Sequence, residues 1–132
     1  MSALADLGTE KYVLLTTFRK DGRGVPTPIW TVPFDGGIAV WTVAGSGKLK
    51  RIRRSGRVTV APCTLRGQQT GEAVDGEAVI TDGATTERVR KALIRKYGLT
   101  GWFTVRGSVL RRGRDGTVAV LITAPNGTEP VS

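Results

Sequence analysis

The sequence predicts a mostly β protein, a small antiparallel barrel with two to three helices in a single domain spanning 1–132. Three observations carry this. Short runs rich in β-branched and aromatic residues recur about seven times, each bounded by glycine or Asp-Gly turns. Only one long stretch, 85–97, has a clear helical period of apolar residues. The connection after the third run makes only about two helical turns, whereas a parallel crossover takes a dozen or more residues. A doubly wound parallel sheet is therefore excluded.

Residues 1–10 read as a short arm or helix. Residues 12–19, "YVLLTTFR", form the first strand, and "KDGRG" at 20–24 supplies a hairpin turn. Residues 25–34, "VPTPIWTVPF", are extended, and their three prolines require an edge or irregular strand. After the turn at 35–37, "IAVWTV" at 38–43 is the third strand, and "RVTVAPCT" at 57–64 is the fourth. A polar loop at 65–71 leads to a strand at 73–82, with a bulge expected at Gly76. In the 85–97 helix, Val89, Leu93, Ile94 and Tyr97 share a face, Thr85 or Thr86 caps the start, and Gly98 ends it. Strands are expected at 104–111 and 117–124, and 125–132 reads as a tail.

Composition narrows the chemistry. A single cysteine, Cys63, and no histidine leave no internal disulfide, none of the usual zinc sites and no histidine-based nucleophile system. No metal site is expected, and Cys63 reads as a small core residue. Reducing cytoplasm is the expected location, with no signal peptide and no stretch long enough to span a bilayer. No membrane partner is expected. The net charge of +9 favours anionic or phosphorylated partners.

The charge concentrates at 45–57, which begins "GSGKLKRIRR"; six of the ten residues 48–57 are basic. This is not an ATPase phosphate loop: Thr42 stands where the first glycine is needed, and Leu49 follows Lys48. Ser46 is a good N-cap. Leu49 and Ile52 can face the barrel, leaving the cations outside. Lys48 falls in the first helical turn, where the helix dipole disfavours a cation. An anion held between Lys48 and the free amides would reverse that penalty. The second basic cluster, on the 85–97 helix, reads as an ordinary solvated face.

The order of these elements, with "YVLLTTFRKDGRGVPTPIW", "VWTVAGSGKLKRIRRSGRVTVAPC" and "RGQQTG", resembles the pyridoxamine 5′-phosphate oxidase-like family. These flavoproteins have a split β-barrel of the FMN-binding-protein type. The likeness is greater to their deazaflavin-dependent oxidoreductase branch, which uses coenzyme F420. It covers about Tyr12 to Phe103. The resemblance implies a homodimer with cofactor sites at the subunit interface and a planar or conjugated small-molecule substrate. It implies cofactor contacts from Trp41, Thr42, Ser46 and Lys48, extended by Arg51 and Arg54. The cofactor ring would lie along Thr27, Pro28, Ile29 and Trp30, backed by Val60, Ala61, Pro62 and Cys63. The flavin-binding oxidases carry an Arg and a Lys on the second strand, and "PTPIWT" has neither. That departure favours the deazaflavin over FMN. No catalytic acid or base is assigned, because the cofactor ring itself carries the hydride. FMN binding or cofactor carriage on the same barrel is the neighbouring alternative. A nucleic-acid-binding barrel is disfavoured, because only 6% of residues are aromatic and they form no stacking row.

Overall fold

A computed structural model describes residues 3–113 and 116–125. The chain opens with a short helix, α1 (Ala3–Asp6), and a 3₁₀ turn (Leu7–Thr9). Four strands follow: β1 (Val13–Phe18), β2 (Gly24–Ile29), β3 (Thr31–Phe34) and β4 (Gly37–Val43). Next come α2 (Gly47–Arg54), β5 (Arg57–Pro62), β6 (Val74–Ile80), the long helix α3 (Gly83–Arg112) and β7 (Thr117–Thr123). The strands form one antiparallel sheet in the order β2-β1-β5-β6-β7-β4-β3.

The sheet curls around one core. Val13 and Leu15 from β1 meet Ile38 and Val40 from β4, though three strands separate β1 and β4 in the sheet. Leu49 and Ile52 of α2 and Leu4 and Leu7 of the N-terminal segment plug this interior. A second cluster lies outside the curl, where Val89, Leu93 and Val105 of α3 cover Val32, Ala39 and Ala119. Side-chain alternation along β4 feeds both clusters, Ile38 and Val40 inward, Ala39 and Trp41 toward α3.

Several expectations need correction. The proline-rich stretch is two strands, broken at Trp30. Both are edges among the described residues, where β2 pairs only with β1, and β3 only with β4. One segment thus supplies both borders of the split barrel, where a missing N–H costs no ladder bond. Gly76 is not a bulge. It pairs in regular register with Val58, and a Cβ there would lie 2.7 Å from Ile122 Cγ2. The long helix starts at Gly83, capped by Asp82, whose Oδ1 accepts from the Thr85 amide at 2.7 Å. That bond holds the Asp82 carboxyl below its ordinary pKa. Thr86 instead ties the helix to β7: its hydroxyl donates to the Asp82 carbonyl and accepts from the Ala119 amide.

The largest correction is the strand expected at 104–111. Helix resumes after Gly98, which turns the chain at φ 63, and continues to Arg112. "TVRGSVLR" at 104–111 has β-forming residues, but β propensity is largely a response to packing. Here Gly101 and Val105, one turn apart, are the buried positions. A Cβ on Gly101 would meet the Leu93 carbonyl at 2.9 Å and Tyr97 Cβ at 3.0 Å, so glycine lets the two helical segments close. The tail at 125–132 falls, after Pro125, outside the described residues.

Two cations, Arg90 buried and Lys96 partly buried, stitch these layers. Arg90, 4% exposed, donates to Thr117 Oγ1 at 2.7 Å and pairs with Glu87. It is therefore not part of a solvated face. Lys96 Nζ donates to the carbonyls of Gly8 (2.8 Å), Thr31 (2.6 Å) and Glu10. Burial pushes its pKa down to about 8, with the Glu10 charge opposing.

The glycine at the start of β4 gives a test. A Cβ at Gly37 would collide with the Ile122 carbonyl oxygen, backbone that cannot rotate away, whereas a Cβ at Gly83 meets nothing within 4 Å. Gly37→Ala is expected to lower stability in urea by about 1–3 kcal/mol. Gly83→Ala should leave it within about 1 kcal/mol of the parent. Equal midpoints for the two variants would contradict the packing of β4 against β7.

Candidate functional site

The site is built from α2 outward. Gly45, at φ 80, turns the chain out of β4, and Ser46 adopts the extended N-cap conformation. Its Oγ accepts from the Leu49 amide at 3.5 Å, a long cap bond. Leu49 and Ile52 are buried at 0% and 5% exposure, so the apolar side of this short helix is fixed against the core. The cations are forced to the other sides.

They are not loose. Arg51 Nε donates to Thr17 Oγ1 at 2.6 Å. Arg54 donates to the Phe18 carbonyl, and the Arg57 guanidinium lies 4.3 Å from the Phe18 ring centroid. Three basic side chains thus converge on the last two residues of β1. Gly47 leaves room for one of them: a Cβ there would stand 3.0 Å from an Arg51 guanidinium nitrogen. Arg51 therefore folds back beside the first helical turn, next to Lys48. Burial lowers the Lys48 pKa, and the charge of Arg51 lowers it further. Among the described residues, no carboxylate forms an ion pair with Lys48, Lys50, Arg51, Arg53 or Arg54. The result is a cluster of like charges along α2, with Lys48 partly desolvated at the positive end of the helix dipole and the arginines in the last turn. An anion is the species that such an arrangement stabilises most.

Strand pairing places the other predicted residues. β2, β1 and β5 are neighbours, and their register gives three consecutive rows: Thr27–Leu15–Val60, Pro28–Leu14–Ala61 and Ile29–Val13–Pro62. The first and third rows face the core with Leu15 and Val13, and the middle row faces outward. Thr17, which holds Arg51, pairs with Val25. That row is two residues from the Thr27 row, about 7 Å along the strands. The cationic cluster therefore sits at one end of a strip that the proline-rich edge strand borders.

The loop at 64–71 folds back over this strip. A Cβ on Gly67 would lie 3.6 Å from the Pro28 ring and 3.8 Å from Leu14 Cδ1, and one on Gly71 would lie 2.7 Å from Pro62 Cγ. Cys63 bridges to Gln69, and the Thr70 amide donates to the Pro62 carbonyl at 2.9 Å. Cys63 is buried, and burial pushes its thiol pKa up, the opposite of what a reactive thiolate needs.

Two predicted residues lie elsewhere. Trp30 stacks on Tyr97 at 4.2 Å and 9°. The Tyr97 hydroxyl donates to the Lys11 carbonyl and accepts from the Thr31 amide. Trp30 and Tyr97 line a cavity of about 370 Å³ with Tyr12, Thr9, Lys96 and Thr100. Trp41 packs in the cluster beneath α3, and its Nε1 is buried with no hydrogen-bond partner among the described residues. Thr42, next in the strand, projects to the opposite side. The structure thus gathers Ser46, Lys48, Arg51 and Arg54 at α2 and aligns Thr27, Pro28 and Ile29 with Val60, Ala61 and Pro62. Trp30 and Trp41 belong to the α3 side.

Sequence reading did not assign Thr17, Phe18 or Arg57. A signal for Thr17 existed: alternation along β1 puts it on the inward face, where a threonine needs a polar partner. Among the described residues, no group of three metal-ligating side chains is found. No helix among them is long and apolar enough to cross a membrane.

Neither a protein-family model nor a curated protein sequence matches the chain. Solved structures do. A conserved hypothetical protein from Mycobacterium tuberculosis superposes with a TM-score of 0.70 at 23% identity, covering 100% of this chain and 91% of that one. A FAD-binding protein from Mesorhizobium loti gives 0.60 at 20% identity, with coverage of 96% and 90%. A structure described as an F420 reductase gives 0.57 at 14% identity, with coverage of 100% and 96%. These likenesses and the sheet order above establish the architecture: the chain has the split β-barrel fold that it shares with these structures.

Proposed function

We propose that the chain is a deazaflavin-dependent oxidoreductase that binds coenzyme F420 and reduces a planar or conjugated small molecule. The observation that carries this reading is the α2 cluster: Lys48 in the first turn of the helix and Arg51 and Arg54 in its last, without carboxylate ion-pair partners among the described residues, at one end of the β2–β1–β5 strip. An anionic cofactor with a flat ring fits both halves, its phosphate and acidic tail on α2 and its ring along the strip. The match of one structure to an F420 reductase supports the same reading.

When bound, the deazaflavin supplies the hydride chemistry. The residues of the chain bind and orient it. Ser46 and the amides of the first turn offer hydrogen bonds, Lys48 and Arg51 supply charge, and Thr17 fixes where the Arg51 guanidinium points. Pro26 and Pro28 keep the edge strand extended. They withhold two N–H groups that would otherwise seek a partner strand. The absence of a cation from residues 26–31 favours the deazaflavin over FMN. A homodimer is part of the proposal, with a second copy completing the site.

Fluorescence titration of cofactor-free protein tests the reading. F420 is expected to bind more tightly than FMN, and Lys48→Ala to weaken F420 binding by about 1.5–3 kcal/mol, the worth of a hydrogen bond to a charged group. A preference for FMN would place the chain with flavin enzymes, and binding of neither would remove the oxidoreductase reading.

A second prediction follows from the Lys48 titration. An anion favours the ammonium, so binding draws a proton onto Lys48 once the free side chain begins to lose it. Affinity should therefore fall as pH rises, and earlier than the ordinary lysine value of 10.5 because the free-state pKa is lowered. Titrations at pH 7, 8.5 and 9.5 should show the decline in the parent and a flatter profile in Lys48→Arg. Parallel profiles would take Lys48 out of the site.

A further inference from the structure

The second segment of α3, 99–112, turns an apolar stripe toward solvent. Leu99, Phe103 and Leu110 are 77%, 65% and 88% exposed, and Trp102 is 43% exposed. In a helix, positions 99, 103, 106 and 110 lie along one line, with 102 beside it. The opposite side is the one used internally, through Gly101 and Val105. Trp102 and Phe103 pack edge to face at 4.9 Å. With Ile94, Gly98 and Leu99 they line an apolar cavity of about 470 Å³ at the kink. Such a stripe is the reverse of an ordinary surface helix, whose outward face is polar.

Charge identifies what would cover it. From Arg88 to Arg112 there are eight basic residues and no acidic one. Arg90 and Lys96 are engaged internally and Arg88 faces Asp35, but Lys91, Arg95, Arg106, Arg111 and Arg112 are exposed. Arg106 lies within the apolar line itself. A second copy docked stripe to stripe would bring these cations against one another. An anionic lipid surface meets both properties at once. Large apolar side chains enter the acyl boundary, tryptophan suits the headgroup level, and arginines meet lipid phosphates.

We propose that residues 99–112 form an interfacial helix that docks the protein, without spanning, on anionic phospholipid membranes. This replaces the expectation of no membrane partner, which rested on the lack of a spanning segment. It is independent of the cofactor reading.

Sedimentation of the full chain with vesicles tests it. Vesicles of phosphatidylcholine with about 30% phosphatidylserine should retain the protein, pure phosphatidylcholine much less, and added salt should release it. Each exposed arginine contributes about fivefold to partition, so Arg106→Glu should lower it at least that much. Trp102→Ser/Phe103→Ser should lower partition about tenfold or more with an unchanged circular dichroism spectrum, since both side chains are largely outside the core. Brominated lipid should quench tryptophan emission in the parent, and Trp102→Phe should lose most of that quenching. No retention on anionic vesicles would overturn the proposal, as would retention that the double variant leaves unchanged. A dimer that the double variant dissociates, with no lipid binding, would assign the stripe to a second copy instead.

Discussion

The first four residues of strand β4, 37–40, are buried on both faces, and the rest of the molecule is arranged around that fact. Its inward residues, Ile38 and Val40, are fully buried in the barrel core, and Ala39 between them is fully buried under α3. Both of its edges are paired as well, with β7 on one side and β3 on the other. At about 25 cal/mol per Å² of apolar surface, a strand buried on both faces contributes more than any edge strand can. It therefore fixes the relative position of the two cores. The chain leaves β4 at Gly45 and enters α2 at once, so the basic helix inherits its position from the most constrained strand.

That inheritance explains how cations can be held so close together. Isolated side chains carrying like charge would spread into solvent. On α2 the apolar side is locked by Leu49 and Ile52, Arg51 is held by a buried threonine, and Arg54 by a main-chain carbonyl. The folded state orders the repelling charges before any ligand arrives, so a ligand need not supply that ordering entropy. The cost shows in Lys48, whose charged form is disfavoured by burial and then by Arg51. Elsewhere the fold treats its cations differently. Lys96 and Arg90 are surrounded by oxygen acceptors and hold layers together, which leaves them little to offer a ligand.

What the sequence disclosed depended on how local the determining interaction was. The hairpin strands, the Ser46 cap and the inward face of α2 follow from neighbours within a few residues, and they were legible. The proline-rich stretch could be assigned to an edge because a missing N–H is a local fact. That it forms both edges is a property of the closed sheet. The helical nature of 104–111 depends on Gly101 meeting Leu93 and Tyr97, and nothing inside "TVRGSVLR" reports that contact. The Thr17–Arg51 bond joins residues 34 apart in sequence, and the Lys96 clamp reaches residues 65 to 88 positions away. Within the candidate site, the α2 cations and the row alignment were readable. The separation of Trp30 and Trp41 onto the α3 side was not, because it takes the tertiary partner to show which face of a strand a tryptophan occupies.

The misread segment also hid its own surface. Read as a strand, 104–111 alternates and distributes its apolar residues over two faces, as a buried strand would. Read as a helix, the same residues join Leu99, Trp102 and Phe103 in one stripe, and the inward face is already filled by Gly101 and Val105. The change of period from 2 to 3.6 converts an apparently internal element into one with two apolar sides. A chain with only eight aromatic residues places two of them, adjacent, on the outer side. Single exposed apolar residues on a soluble protein need no explanation, but a contiguous stripe does. The kink at Gly98 makes it possible: a helix continuing straight through that position would not let the second segment bury Gly101 against the first. The left-handed glycine therefore determines both which side of 99–112 packs on the barrel and which side faces outward.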